Sequence, residues 1–259
     1  MPLGTPFDLE KVESEVIWLE QVDSTNTYLA ALPKTGCARI VATWNQTGGR
    51  GRLGRQWVSP PGKSLALSLE LWPDVIPQPV TASWPGSLSL VTGVALAEAI
   101  SAAVSAPSTL KWPNDVLIDG KKVAGVLGEI PEPGRVVLGV GLNAFLELDE
   151  LPTSWATSLN QHGVEIVEQV AAIVQSFLDK FHGALVEARD GLTPQLMSRV
   201  EVSLKTIGQE VRAEFPDGSS REGEAVGIDQ SGRLRVLFQD SGMVEAIDSA
   251  DVWHLRPAR

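Results

Sequence analysis

A single cysteine, Cys37, excludes an intramolecular disulfide framework and any multi-cysteine metal centre. Its simplest role is that of a small buried hydrophobe. The histidines, His162, His182 and His254, are scattered without ligand spacing, so no protein-built metal site is expected. No apolar run comes near the roughly 20 residues that cross a bilayer, and a membrane location is not expected. The opening stretch, MPLGTPFDLEKVESEVIW, carries acids where a targeting segment would carry a basic start and an apolar run, so a cytoplasmic protein is expected. Positive charge is also scarce. A net charge of −11 argues against broad attraction to nucleic acid or anionic lipid, because phosphate binding draws on clustered Lys and Arg.

That scarcity is uneven. From Ser24 to Leu69 there is no Asp or Glu, while Lys34, Arg39, Arg50, Arg52, Arg55 and Lys63 all fall there. Such segregation suits either a site for a small anionic ligand or a basic surface loop paired with acids elsewhere.

Val16 to Leu19, Arg39 to Thr43 and Leu65 to Leu71 read as strands, the last by its alternation. Ser87 to Val104 is spaced as a buried helix. Val116-Leu117-Ile118, Asp119-Gly120 and Val123 to Leu127 form a hairpin pattern. Val136 to Val140 is a further strand, and Val164 to Arg189 a long amphipathic helix stopped by Asp190-Gly191. After Leu204 short strands alternate with Pro216-Asp217-Gly218, Asp229-Gln230-Ser231-Gly232 and Asp240-Ser241-Gly242, the pattern of a small barrel of roughly five strands. The expected division is a large domain over residues 1–204 and a small β domain over 205–259.

The most informative segment is Gly48-Gly49-Arg50-Gly51-Arg52-Leu53-Gly54-Arg55-Gln56-Trp57. Its glycines let backbone N–H groups approach a ligand, and its arginines supply forked donors suited to carboxylate and phosphate. Trp57 offers either a face for a nucleobase or an ordinary core side chain. Two familiar nucleotide motifs fail. A Walker loop would need Lys-Ser or Lys-Thr after Gly54 but meets Arg55-Gln56, and Gly62-Lys63-Ser64 has Trp57 where the first glycine belongs. Gly139-Val140-Gly141-Leu142-Asn143-Ala144 matches a dinucleotide fingerprint, yet Phe145 to Pro152 is too short and acidic for the helix that must follow. Those glycines point to tight packing near a strand end.

Four motifs in order resemble the bacterial biotin–protein ligases across nearly the whole chain. They are Asp23-Ser24-Thr25-Asn26; Gln46 with the Gly/Arg run through Trp57; Lys111-Trp112-Pro113-Asn114-Asp115 leading to Lys122-Val123-Ala124-Gly125; and Gly139-Val140-Gly141-Leu142-Asn143. The resemblance implies an α+β fold, a mixed-sheet catalytic domain of the class II synthetase type with an SH3-like C-terminal barrel. It implies that biotin's carboxylate attacks the α-phosphate of ATP, and that the acyl group then passes to a lysine of a biotin carboxyl carrier protein. By the same resemblance, Ser24, Thr25, Asn26, Gln46, Gly49, Gly51 and Gly125 would surround biotin. Arg50 and Arg52 would grip its carboxylate and the α-phosphate, Arg55 the outer phosphates, and Trp57 with Asn143 the adenosine end. Lys122, rather than its neighbour Lys121, would meet the carboxylate and bridging oxygens, and Asp115 would orient the adenylate, help deprotonate the acceptor or simply cap a turn. Ser24 also suits a helix cap. Mg²⁺ is expected on the nucleotide phosphates.

Trp44 stands where the family commonly has an acid, and Gly48 where Ala is frequent, which bears on how the loop is anchored. Only about fifteen residues precede Val16, an acidic stretch, against the roughly sixty of a DNA-binding module, so operator binding is not expected. The resemblance leaves a homodimer open. Lipoate and octanoyl ligases share the fold but not the Gly-Arg-Gly-Arg-x-Gly-Arg run, and a non-catalytic sensor would not need the full cation set.

Overall fold

The computed structural model describes residues 14–34, 38–71, 86–187, 193–215, 217–247 and 251–254. Cys37, the Asp190-Gly191 stop and Pro216 of the first barrel turn lie outside the described residues. The chain runs β1 (Ser14–Trp18), α1 (Thr25–Ala31), β2 (Ala38–Thr43), β3 (Gly49–Arg50), β4 (Gln56–Trp57), β5 (Ser64–Leu71) and α2 (Gly86–Ala103). It continues through β6 (Ser108–Lys111), β7 (Asp115–Ile118), β8 (Lys121–Glu132), β9 (Arg135–Asn143), α3 (Val167–Glu187) and α4 (Pro194–Ser203). It closes with β10 (Glu210–Glu214), β11 (Ser220–Ile228), β12 (Leu234–Phe238), β13 (Val244–Ile247) and β14 (Asp251–His254).

A seven-stranded mixed sheet in the order β1-β2-β5-β9-β8-β7-β6 carries the larger part of the molecule, with β1 and β2 parallel and the other pairs antiparallel. The second sheet has five antiparallel strands, β13-β12-β11-β10-β14, as the turn chemistry after Leu204 suggested. Strand β5 explains the layering. Leu65, Leu67, Leu69 and Leu71 point into the main core with α2 and α3, so the intervening Ser68 and Glu70 must face the opposite side, as the two-residue period requires. On that side α1 packs Leu29 against Val41 and Val137.

Helix α3 buries Val170, Ile173, Val174, Phe177, Leu178 and Phe181, a stripe at three- and four-residue spacing. Helix α2 is apolar on nearly every side and, by length and composition, comes nearer a membrane span than the sequence reading allowed. However, 72% of that window is buried inside this fold. Gly93 lets it approach β6, since a Cβ there would sit 3.0 Å from Leu110. The Asp119-Gly120 turn between β7 and β8 has positive φ at both residues, 49° and 75°, the conformation for which that dipeptide is suited.

Helix α4 was not anticipated from the sequence. Thr193 caps it by accepting from the Leu196 N–H at 3.2 Å, and Pro194 occupies its first turn. Ten residues show too little periodicity to stand out beside such signals. The β domain meets the large sheet at the Lys-Trp-Pro-Asn-Asp motif. The Trp112 N–H donates to Thr206 Oγ1 and its indole N–H to Gly232 O, each at 2.9 Å.

Candidate active site

The face of the main sheet opposite α2 opens into a cavity of about 830 Å³. Its floor is made by absent side chains. Gly125 on β8 and Gly141 on β9 are direct cross-strand partners, and the Trp57 indole lies against both. A Cβ on Gly141 would sit 2.6 Å from Trp57 Cε2, and one on Gly125 would be 3.2 Å from Lys122 Nζ and 3.3 Å from Trp57 Cζ3. Gly139 similarly makes room for Asn26. These glycines therefore mark close packing, as the failure of the dinucleotide reading suggested. Gly141→Ala forces the Trp57 ring to move, and the ring has little freedom because its backbone closes the β3–β4 ribbon on Gly49. A loss of about 1–3 kcal/mol is expected, readable as a lower urea midpoint. An unchanged midpoint would show that the ring is not wedged.

Lys122 reaches the cavity from β8 and Asp115 from β7, with Nζ 2.6 Å from Oδ1 and 5.4 Å from the centre of the Trp57 ring. Both are partly exposed, at 34% and 24%, so the pair remains open to a ligand. Lys121 is exposed and does not line the cavity. The strand also engages the 153–157 segment, through Lys122 N to Trp155 O at 2.7 Å and Thr157 N to Lys122 O at 2.8 Å.

At the other end, Ser24 caps α1, accepting from the Thr27 N–H at 3.3 Å, and also lines the cavity, so the two readings of that residue coexist. Thr25 donates its N–H to Gln46 Oε1 at 2.9 Å. Asn26 is buried and held by protein groups: Ser68 Oγ lies 2.6 Å from its Oδ1, and its Nδ2 donates to Glu129 at 2.7 Å. The Gly/Arg segment forms the β3–β4 ribbon around a 3-10 turn at Arg52–Gly54, with the Gly51 N–H bonded to Arg55 O at 2.7 Å. Arg50, Gly51, Arg52, Arg55 and Trp57 line the main cavity; Gly49 is buried in the ribbon. Arg52 lies 5.9 Å from the centre of the Trp112 ring.

Asn143 is not brought to the cavity lining. Its Oδ1 faces Ser64 Oγ at 3.3 Å and its Nδ2 donates to Thr157 O at 2.9 Å, so it ties β9 to the following loop. The acid-free segment also divides. Arg39 is buried against Glu70, and Lys63 pairs with Glu150 at 3.2 Å. The Glu147 N–H, and then Lys63, hold the Glu150 carboxyl below its ordinary range. Trp44 stacks on Phe145 with centroids 5.7 Å apart, while Gly48 donates its N–H to Asp23 O at 2.7 Å, so the loop is anchored by ring stacking and backbone bonds.

Sequence reasoning missed Trp155, Lys205 and Gln209, which also line the cavity. The last two arrive from the junction with the β domain, and no local pattern announces them. With them the described lining holds Arg50, Arg52, Arg55, Lys111, Lys122 and Lys205 against a single carboxylate, Asp115. In an acidic protein that is a site for an anion.

A model of the biotin/lipoate A/B protein ligase family matches residues 18–143, and one of the biotin protein ligase C-terminal domain matches residues 206–255. The chain is 36% identical over 242 residues to a biotin–[acetyl-CoA-carboxylase] ligase of Mycobacterium tuberculosis, covering 91% of this chain and 87% of that protein. It is 32% identical to the bifunctional ligase/repressor BirA of Escherichia coli, covering 88% of this chain and 70% of that one. The solved biotin protein ligase from Aquifex aeolicus in complex with biotin and ATP superposes with a TM-score of 0.76 at 27% identity, covering 93% and 99% of the two chains. The family models and these relatives define the class as a protein-modifying ligase, and the mixed sheet with a cation-lined cavity and a small SH3-like β domain agrees with it. The chain belongs to the biotin protein ligase family.

Proposed function

We propose that the protein activates biotin with ATP as biotinyl-5′-adenylate and transfers the acyl group to one lysine of a biotin carboxyl carrier protein. The carrying observation is the cavity of six cations and one carboxylate in a chain of net charge −11. In the first step a carboxylate oxygen forms a bond to the α-phosphorus while the bond to the bridging oxygen breaks and pyrophosphate leaves. Two anions must meet, and fixed cations aimed at the developing charge are the main means of allowing it. In the second step the carrier amine attacks the acyl carbon, AMP departs with its oxygen, and Asp115 or water takes the amine proton.

Lys122 and Arg52 fit the carboxylate and α-phosphate, Arg55 the outer phosphates, Trp57 a base, and Ser24, Thr25 and Gln46 a polar head that must be satisfied once buried. Asn143, already bonded at both polar atoms, acts as a strut. Magnesium enters on the triphosphate, since that cation favours phosphate and water oxygens, and Asp115 is engaged by Lys122. Residues 1–204 form the catalytic domain and 205–259 the small β domain. The reading includes a cytoplasmic location, no operator binding, consistent with the negative charge, and either a monomer or a homodimer.

ATP–pyrophosphate exchange tests it. Exchange should depend on biotin and not on lipoate or octanoate; no exchange with biotin sinks the reading. Arg52→Gly leaves Lys122 and Arg50 at the carboxylate and α-phosphate, so it should slow adenylate synthesis far less than it loosens the intermediate, which escapes and labels free amines on bystander proteins. Unchanged acceptor selectivity would refute that role.

A further inference from the structure

Beneath the Gly/Arg segment lies a second, smaller hollow in which three arginines, Arg50, Arg52 and Arg55, share the lining with one acid, Glu129. Glu129 stands on β8 two residues beyond Leu127 and four beyond Gly125, so strand alternation puts it on their face of the sheet. Its carboxylate receives two different partners. Asn26 Nδ2 donates to Oε2 at 2.7 Å, and Arg50 Nη2 lies 3.1 Å from Oε1. The same Arg50 nitrogen donates to Thr27 Oγ1 at 3.0 Å.

Helix α1, the ribbon and β8 therefore meet on one ion pair. Asn26 and Thr27 directly follow Ser24 and Thr25, which line the main cavity, while Arg50 belongs to the segment that borders it. We propose that Glu129 is a positioning residue: it ties the loop arginine to the start of α1, and so sets together the fit of the biotin head and the retention of the acyl-adenylate. This rests on the functional reading above and deepens it. The side chains of Arg50 and Glu129 are 52% and 33% exposed. A pair so exposed is worth up to about fivefold in an equilibrium, strong enough to bias the loop and weak enough for an incoming anion to compete for Arg50.

The test uses Glu129→Gln, which keeps an acceptor for Asn26 and removes the charge facing Arg50; a partly exposed site tolerates the change, which the thermal midpoint checks. The first arm needs no catalysis. Trypsin cleavage after Arg52 and Arg55 in the ligand-free protein should quicken by about two- to fivefold. Since Arg50→Gln cuts the same tie from the other side, the double variant should be cleaved no faster than Arg50→Gln alone. The second arm reads function: KM for biotin and the rate of acyl-adenylate escape should each rise by about two- to fivefold, with KM for ATP changed less.

Unchanged cleavage overturns the tie itself. Quicker cleavage with unchanged KM for biotin and unchanged escape overturns the positioning role. If the parent protein makes no acyl-adenylate, the functional reading falls, and the cleavage arm alone still decides whether Glu129 holds the loop.

Discussion

Replacing Lys122 by alanine should lower biotin-dependent pyrophosphate exchange by about 10²–10³-fold, the cost of removing one group aimed at developing charge. The ammonium lies 2.6 Å from Asp115 and borders the cavity. Its removal has two consequences. The reacting carboxylate and phosphate lose a cation, and the Asp115 carboxylate is left facing them without its partner. Lys122→Ala with Asp115→Asn should therefore be less impaired than the sum of the single changes, because the second substitution removes that repulsion. Lys121→Ala, which alters an exposed residue at the start of β8, should be near the parent. Full exchange activity in Lys122→Ala would remove this lysine from the chemistry.

The largest effect on stability should come from a residue that never meets a ligand. Glu70 is wholly buried on β5, between β2 and β9, where Arg39 donates to it at 2.8 Å from β2 and Arg135 contacts it from β9. The two guanidiniums reach onward to carbonyls at the end of α1 and just beyond. Arg135 donates to Leu29 O at 2.6 Å and Ala30 O at 2.9 Å, and Arg39 to Pro33 O at 2.7 Å. Glu70→Gln leaves two buried cations without a buried counter-charge, and a loss of about 3–5 kcal/mol is expected from urea unfolding. A loss below about 1 kcal/mol would mean that water or Glu132 replaces the carboxylate. Since α1 begins with Ser24 and Thr25, a folded remnant of this variant should also bind biotin more weakly.

Much of this was legible because the signals are local. Leu65 to Leu71 alternates, Asp119-Gly120 fits only a narrow set of turns, and the α3 stripe repeats at helical spacing. The Gly/Arg run carries its chemistry in its own residue types. Arg39 shows where such reading stops. It belongs by sequence to the same basic segment as Arg50, yet one neutralises a buried carboxylate and the other borders the cavity. The strand pattern after Arg39 and the glycines around Arg50 put the two on different elements, but nothing local names the partner of either, because Glu70 lies on a neighbouring strand.

Period and turn chemistry determined the strands, the long helices and the small β domain after Leu204, and the Gly/Arg run marked a place for an anion, each from residues close in sequence; the mixed sheet followed only from the resemblance carried by four motifs spread from Asp23 to Asn143. Only the tertiary structure decided which cations line the cavity, that Lys205 and the neutral Gln209 line it with them, that Asn143 is bonded to Ser64 and Thr157 outside that lining, and that Gly125 and Gly141 seat one indole. Charge and space are settled by what lies across a strand or a domain junction, tens of residues away along the chain.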